Sequence, residues 1–174
     1  MIELADNEIY VTYLKKNHLP FRKEMIKTHI GYIRPMLNKP QNAWWGSPFD
    51  ADYGWKEWCF CNDYETQGYD WKHPILWRLQ RGSKILKIDI DDVINPQTSI
   101  LNNYLCDNKE LFRNDFDFFP ITLNFRKMLE ESISAVQLMD GSIGHRFINK
   151  IEEAFNSWDC ESIVVLDESK IEIV

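Results

Sequence analysis

Short runs of β-branched and aromatic residues, each closed by a turn signal, recur from one end of the chain to the other. This punctuation constrains the fold more than any other feature. Glu8–Leu14 (EIYVTYL) predicts a strand ending at Lys-Lys-Asn, and Ala43–Ser47 a short strand closed by Pro48. Ile75–Gln80 and Lys84–Ile90 flank Arg81-Gly82-Ser83, so they predict a hairpin. Ser162–Leu166 (SIVVL) and Ile171–Val174 predict two strands around a polar turn. Helices are expected over Phe21–Thr28, Leu123–Glu131 and Ile143–Ala154, the last from the stripe Ile143, Phe147, Ile148, Ile151 and Phe155. Trp55 and Trp58, three apart, share one face of a helical turn and are expected to plug the core. The fold class expected is mixed α/β (α+β): one domain, mainly antiparallel, with flanking helices.

With 44% hydrophobic residues in 174, the chain can bury a core without disulfide or metal support. The net charge of −7 repels phosphate backbones and disfavours a general nucleic-acid coat. Cys59, Cys61, Cys106 and Cys160 lack zinc spacing and read as reduced, partly buried thiols. No stretch approaches the ~20 apolar residues that span a bilayer, and the amino terminus lacks a basic segment followed by an apolar run. A cytoplasmic location is expected.

Trp158-Asp159-Cys160-Glu161-Ser162, followed at once by Ile-Val-Val-Leu, places two carboxylates two residues apart at the start of a strand, pointing to one face. A polar corner in which Asp159 caps backbone N–H groups explains the same residues. Lys87-Ile88-Asp89-Ile90-Asp91-Asp92-Val93 echoes the Asp-x-Asp motif of haloacid-dehalogenase-type phosphatases, where two acids hold Mg²⁺. Too little chain follows it for such a core, which favours a strand leading into a helix, with Asp91 or Asp92 complementing the helix dipole. There is neither a Gly-x-Ser-x-Gly nor a phosphate-loop motif. His18, His73 and His145 stand apart from one another and read as surface or satisfied core residues.

The segment Asp159-Cys160-Glu161-Ser162-Ile163-Val164-Val165 resembles the Glu/Gln-x-Glu motif that precedes a strand in the ADP-ribosyltransferase-like fold. Asn38 to Pro48 (NKPQNAWWGSP) and Gly54-Trp55-Lys56-Glu57-Trp58-Cys59 are similar to a pattern in small uncharacterised bacterial and phage proteins that also end in Trp-Asp-Cys-x-Ser. The resemblance implies two antiparallel sheet layers enclosing a cleft, and NAD as substrate. It implies Asp159 or Glu161 as catalytic acid, Ser47 steadying it, and Trp44 or Trp45 near the nicotinamide. The first motif, which holds the ribose or pyrophosphate, falls in Glu8–Leu14 or on His29 and Arg34. ADP-ribose would pass to a macromolecular acceptor, expected to be a protein, or to water. The alternative is a non-enzymatic acidic interaction protein, like a phage inhibitor, that blocks a partner's basic surface.

Overall fold

The protein is described from a computed structural model, which covers residues 1–28, 33–34, 39–40, 43–107, 121–141, 151–155 and 158–174. Its strands are β1 (Ile2–Leu4), β2 (Tyr10–Thr12), β3 (Ile33–Arg34), β4 (Lys39–Pro40), β5 (Trp44–Pro48) and β6 (Ile75–Leu79). They continue with β7 (Lys84–Ile88), β8 (Leu105–Asp107), β9 (Ile121–Leu123), β10 (Ile133–Leu138), β11 (Ser162–Val165) and β12 (Ile171–Ile173). The α-helices among the described residues are short: α1 (Trp55–Cys61), α2 (Ile90–Ile94) and α3 (Phe125–Glu130). None is long and apolar enough to cross a membrane.

Eight strands form one sheet in the order β1-β7-β10-β11-β5-β2-β6-β12. Every neighbouring pair is antiparallel except β7 with β10. The expected hairpin of β6 with β7 is not formed: β6 pairs with β2 and β12, and β7 with β1 and β10. The turn between them does form, with Gly82 at φ 84° and Ser83 N donating to Gln80 O at 3.0 Å. It joins the second and seventh places of the sheet. Five steps of ~4.8 Å would separate those strands by roughly 24 Å in a flat sheet, more than the connecting residues can span at ~3.5 Å each. The sheet therefore curls until its two ends approach. Ala5 and Gly82 stitch that seam, Ala5 N donating to Ser83 O at 2.7 Å and Gly82 N to Ala5 O at 2.8 Å.

Alternation along the strands sorts side chains to the two faces of the curl. Tyr10, Trp44, Trp77, Leu79, Ile85, Ala135, Ile163 and Val165 pack inside. The Tyr10 hydroxyl lies 3.2 Å from Gln137 Oε1, although their strands stand three places apart, which is a chord across the interior. Leu86, Ile88, Val136, Leu138 and Val164 face outwards onto Val93, Leu101, Phe125, Met128, Phe155 and Trp158. At about 25 cal/mol per Å² of buried apolar surface, these two layers are the main stabilising term.

Local chemistry explains the helices. Asp89 caps α2, its side chain accepting from Asp92 N at 3.0 Å while Asp92 accepts from Asp89 N at 3.1 Å, a reciprocal capping box that gives the acidic run a structural role. Asn124 caps α3 by accepting from Lys127 N at 3.0 Å. The helix expected over Phe21–Thr28 is absent, and only Lys23–Met25 makes a 3-10 turn. So short a segment without a side-chain cap is a marginal helix, and Ile26 enters the interior instead. Most of the helix expected over Ile143–Ala154 lies outside the described residues, as does His145; Glu152–Phe155 is a 3-10 turn. Trp55 and Trp58 do stand on a helix, their rings stacked at 5.0 Å, but they do not plug the core. Cys59 is the buried residue of α1, and both tryptophans stay half-buried on the sheet's rim.

Candidate functional site

The sheet parts between β2 and β5. Their ladder consists of Tyr10 opposite Pro48 and Val11 opposite Ser47. Beyond it a side chain takes over, Thr12 Oγ1 donating to Trp45 O and accepting from Trp77 Nε1 at 2.9 Å. Gly46 lies at this fork because nothing larger fits: a Cβ there would stand 2.8 Å from Trp77 Cζ2 and 2.9 Å from Val11 O. Past the fork opens a cleft of about 360 Å³, walled by Val11–Leu14, Ala43–Ser47, Trp55, Tyr69, Trp158–Cys160 and Ser162.

Four of the residues singled out in the sequence share this cleft: Trp44, Trp45, Ser47 and Asp159. β5 supplies the first three, and the corner before β11 supplies the fourth, because β11 pairs directly with β5 through Ile163 and Gly46. Trp45 meets Trp158 edge to face at 4.8 Å, and Trp158 packs on Phe155 at 5.9 Å, giving the cleft a rigid aromatic floor. Ser47 is buried, and its Oγ accepts from Trp55 N at 2.9 Å, so the serine also fixes the first turn of α1.

The two acids have different surroundings. Glu161 does not line this cleft. It lines a neighbouring pocket with Tyr53, Trp58, Asp140 and Gly141, which Asp159 also reaches. Glu161 Oε1 accepts from Tyr53 N at 3.2 Å and Glu161 N donates to Tyr53 O at 3.1 Å, so this side chain ties down the loop before α1. Gly141 holds the corner from behind, since a Cβ there would lie 2.3 Å from Cys160 Cα. His29 lies outside the described residues, and Arg34 falls in β3, whose two-stranded sheet with β4 is separate from the main one.

Sequence reasoning missed Tyr69, which walls the cleft without belonging to any motif, whereas Tyr13 comes from the Glu8–Leu14 strand that was one alternative for the first motif. Burial, then the charge on Glu57, pushes the Tyr13 phenol up; burial, then Cys59, does the same for Tyr69. Both therefore stay neutral in the wall. Trp44 Nε1, Trp158 Nε1 and Ser162 Oγ are buried and have no hydrogen-bond partner among the described residues. All three side chains belong to the wall, and such unmet capacity is costly enough that its concentration marks this place.

Compared with models of protein families, with curated proteins and with solved structures, the chain finds no match.

Proposed function

We propose that this chain has an ADP-ribosyltransferase-like fold and binds NAD as substrate in the cleft at the β2–β5 parting. It transfers ADP-ribose to a macromolecular acceptor, a protein, or hydrolyses NAD. The observation that carries the reading is the convergence of Asp159, Ser47, Trp44 and Trp45 on one cleft. The largely antiparallel sheet, a single curled one rather than the expected two layers, forks beside that cleft between β2 and β5, which also supports it.

The chemistry follows from the residues. The bond between nicotinamide and ribose breaks with its electron pair leaving on the nicotinamide, so positive charge grows on the ribose as in glycoside hydrolysis. A carboxylate beside the ribose stabilises that charge, and on this reading Asp159, which lines the cleft, supplies it. Trp44 or Trp45 offers a face on which the leaving ring stacks. The acceptor's nucleophile, or water, then bonds to the ribose carbon and loses a proton. The first motif, which holds the ribose or pyrophosphate, stays either His29 and Arg34, whose charge-assisted hydrogen bonds are the strong ones, or the Glu8–Leu14 strand, whose Val11–Leu14 wall the cleft. An NAD-consuming enzyme of this kind would work in the cytoplasm.

Nicotinamide release by the Asp159→Asn and Glu161→Gln variants tests the assignment. Asp159→Asn should lower release by about 10²–10³-fold. Glu161→Gln, whose carboxylate is engaged with Tyr53, should cost only a few-fold. Equal release by Asp159→Asn and the parent protein would remove Asp159 from the chemistry.

A further inference from the structure

A chain of aromatic rings leads outwards from the cleft. Tyr13, Tyr69 and Trp55 line the cleft itself. Trp71 lies 5.1 Å from Tyr13 and 5.0 Å from Tyr69, and Phe60 lies 5.5 Å from Trp71. On the other side Trp55 stacks on Trp58, which meets Tyr64 at 5.1 Å. None of these rings belongs to either core cluster, and Phe60 and Tyr64 are 51% and 46% exposed. The other five rings are half-buried, so the row is anchored at the cleft and exposed at its outer ends, and a contiguous aromatic set outside the core is the mark of a contact surface.

Charge decides what such a surface would hold. Residues 49–73 carry six acids (Asp50, Asp52, Glu57, Asp63, Glu65, Asp70) against two lysines (Lys56, Lys72). Nucleic-acid bases also stack on aromatic rows, but their phosphates would be repelled here. A cation is suited on both counts, since ring faces and carboxylates attract it together. The lip already holds such a contact, with Lys15 Nζ 5.6 Å from the centre of the Tyr69 ring. Glu65 brings one of these carboxylates to the rings, its backbone carbonyl accepting from Trp71 Nε1 at 3.0 Å.

We propose that this aromatic and acidic lip docks an arginine-bearing basic segment of the protein acceptor, guanidinium planes lying over the rings and pairing with the carboxylates. Arginine is preferred because its flat, weakly hydrated cation stacks as well as pairs. The inference rests on the transferase reading, because the lip opens onto the same cleft and would present the acceptor to it.

The test is binding of a fluorescent peptide alternating arginine and glycine, measured without NAD, so that it stands apart from turnover. The controls are the same peptide with citrulline, flat but uncharged, in place of arginine, and an oligo-dT strand. The arginine peptide should bind at least about tenfold more tightly than either control. Phe60→Ala and Tyr64→Ala, at exposed positions that spare the core, should together weaken it by about tenfold. Glu65→Gln should do likewise. Equal binding of the citrulline peptide, preference for oligo-dT, or arginine-peptide binding unchanged in the ring variants would overturn the proposal. The last result would mean attraction by overall charge alone.

Discussion

The clearest contrasts at the scale of single residues lie between neighbours of like chemistry. Asp159 and Glu161 sit two positions apart, yet one walls the cleft and the other is spent on the Tyr53 backbone. Cys59 and Cys61 differ as sharply. Burial, with the charge of Glu65 behind it, pushes the Cys59 thiol up to about 11, while Cys61 is exposed. Only the thiolate alkylates, so iodoacetamide near pH 8 should label Cys61 in the folded protein and reach Cys59 only after unfolding. Mass spectrometry of the labelled peptides reads this directly. Alkaline pH provides a further test. Burial, together with the hydrogen bond its hydroxyl donates to Glu131 at 2.6 Å, pushes the Tyr104 phenol up to about 12 from an ordinary 10.0. Tyr10 moves the same way, through burial and then Glu8. A raised phenol favours the fold while neutral. Its contribution is complete below pH 10 and is lost as pH climbs towards about 12. Denaturant midpoints should fall across that window, and Tyr104→Phe should make the fall shallower.

Among the elements, two close approaches of backbone set the site. Gly46 allows β5 to pass Trp77 and Val11 at the fork, and Gly141 lets its loop press on Cys160. Gly141→Ala would force those backbones apart and should cost about 1–3 kcal/mol in denaturant unfolding. Because the displaced residue sits between Asp159 and Glu161, nicotinamide release should fall by more than the stability loss explains. A variant that loses stability but keeps full release would show that the corner tolerates displacement. α1 is tied to the site, with Ser47 holding its first turn and Cys59 its inner face.

For the whole molecule, half of the twelve described strands were legible; β1, β3, β4, β8, β9 and the buried β10, whose apolar run is broken by Ser134 and Gln137, were not, and neither were the pairings. β5, β6, β7, β11 and β12 match their apolar runs closely, because β-branched residues between turn signals are a local signal. The β6–β7 pairing failed because adjacency in sequence says nothing about curl. A turn centred on Gly82 can close a hairpin or bridge the seam of a rolled sheet, and only the packing of Tyr10, Trp77, Ile85 and Ile163 inside decides between them. The cleft was half legible. Trp44, Trp45, Ser47 and Asp159 came from motifs and Tyr13 from the Glu8–Leu14 strand, whereas Tyr69 arrives from a loop position with no pattern to mark it. The different duties of Asp159 and Glu161 depend on Tyr53, more than a hundred residues away in sequence.

The central claim, that the cleft binds NAD and breaks its nicotinamide–ribose bond, is tested most directly by calorimetric titration of the purified protein with NAD, followed by measurement of released nicotinamide. Saturable heat with one site per chain, and release that vanishes in Asp159→Asn, is the predicted result. Neither heat nor released nicotinamide at NAD concentrations well above the millimolar range would contradict the claim, and the cleft would then need a different ligand.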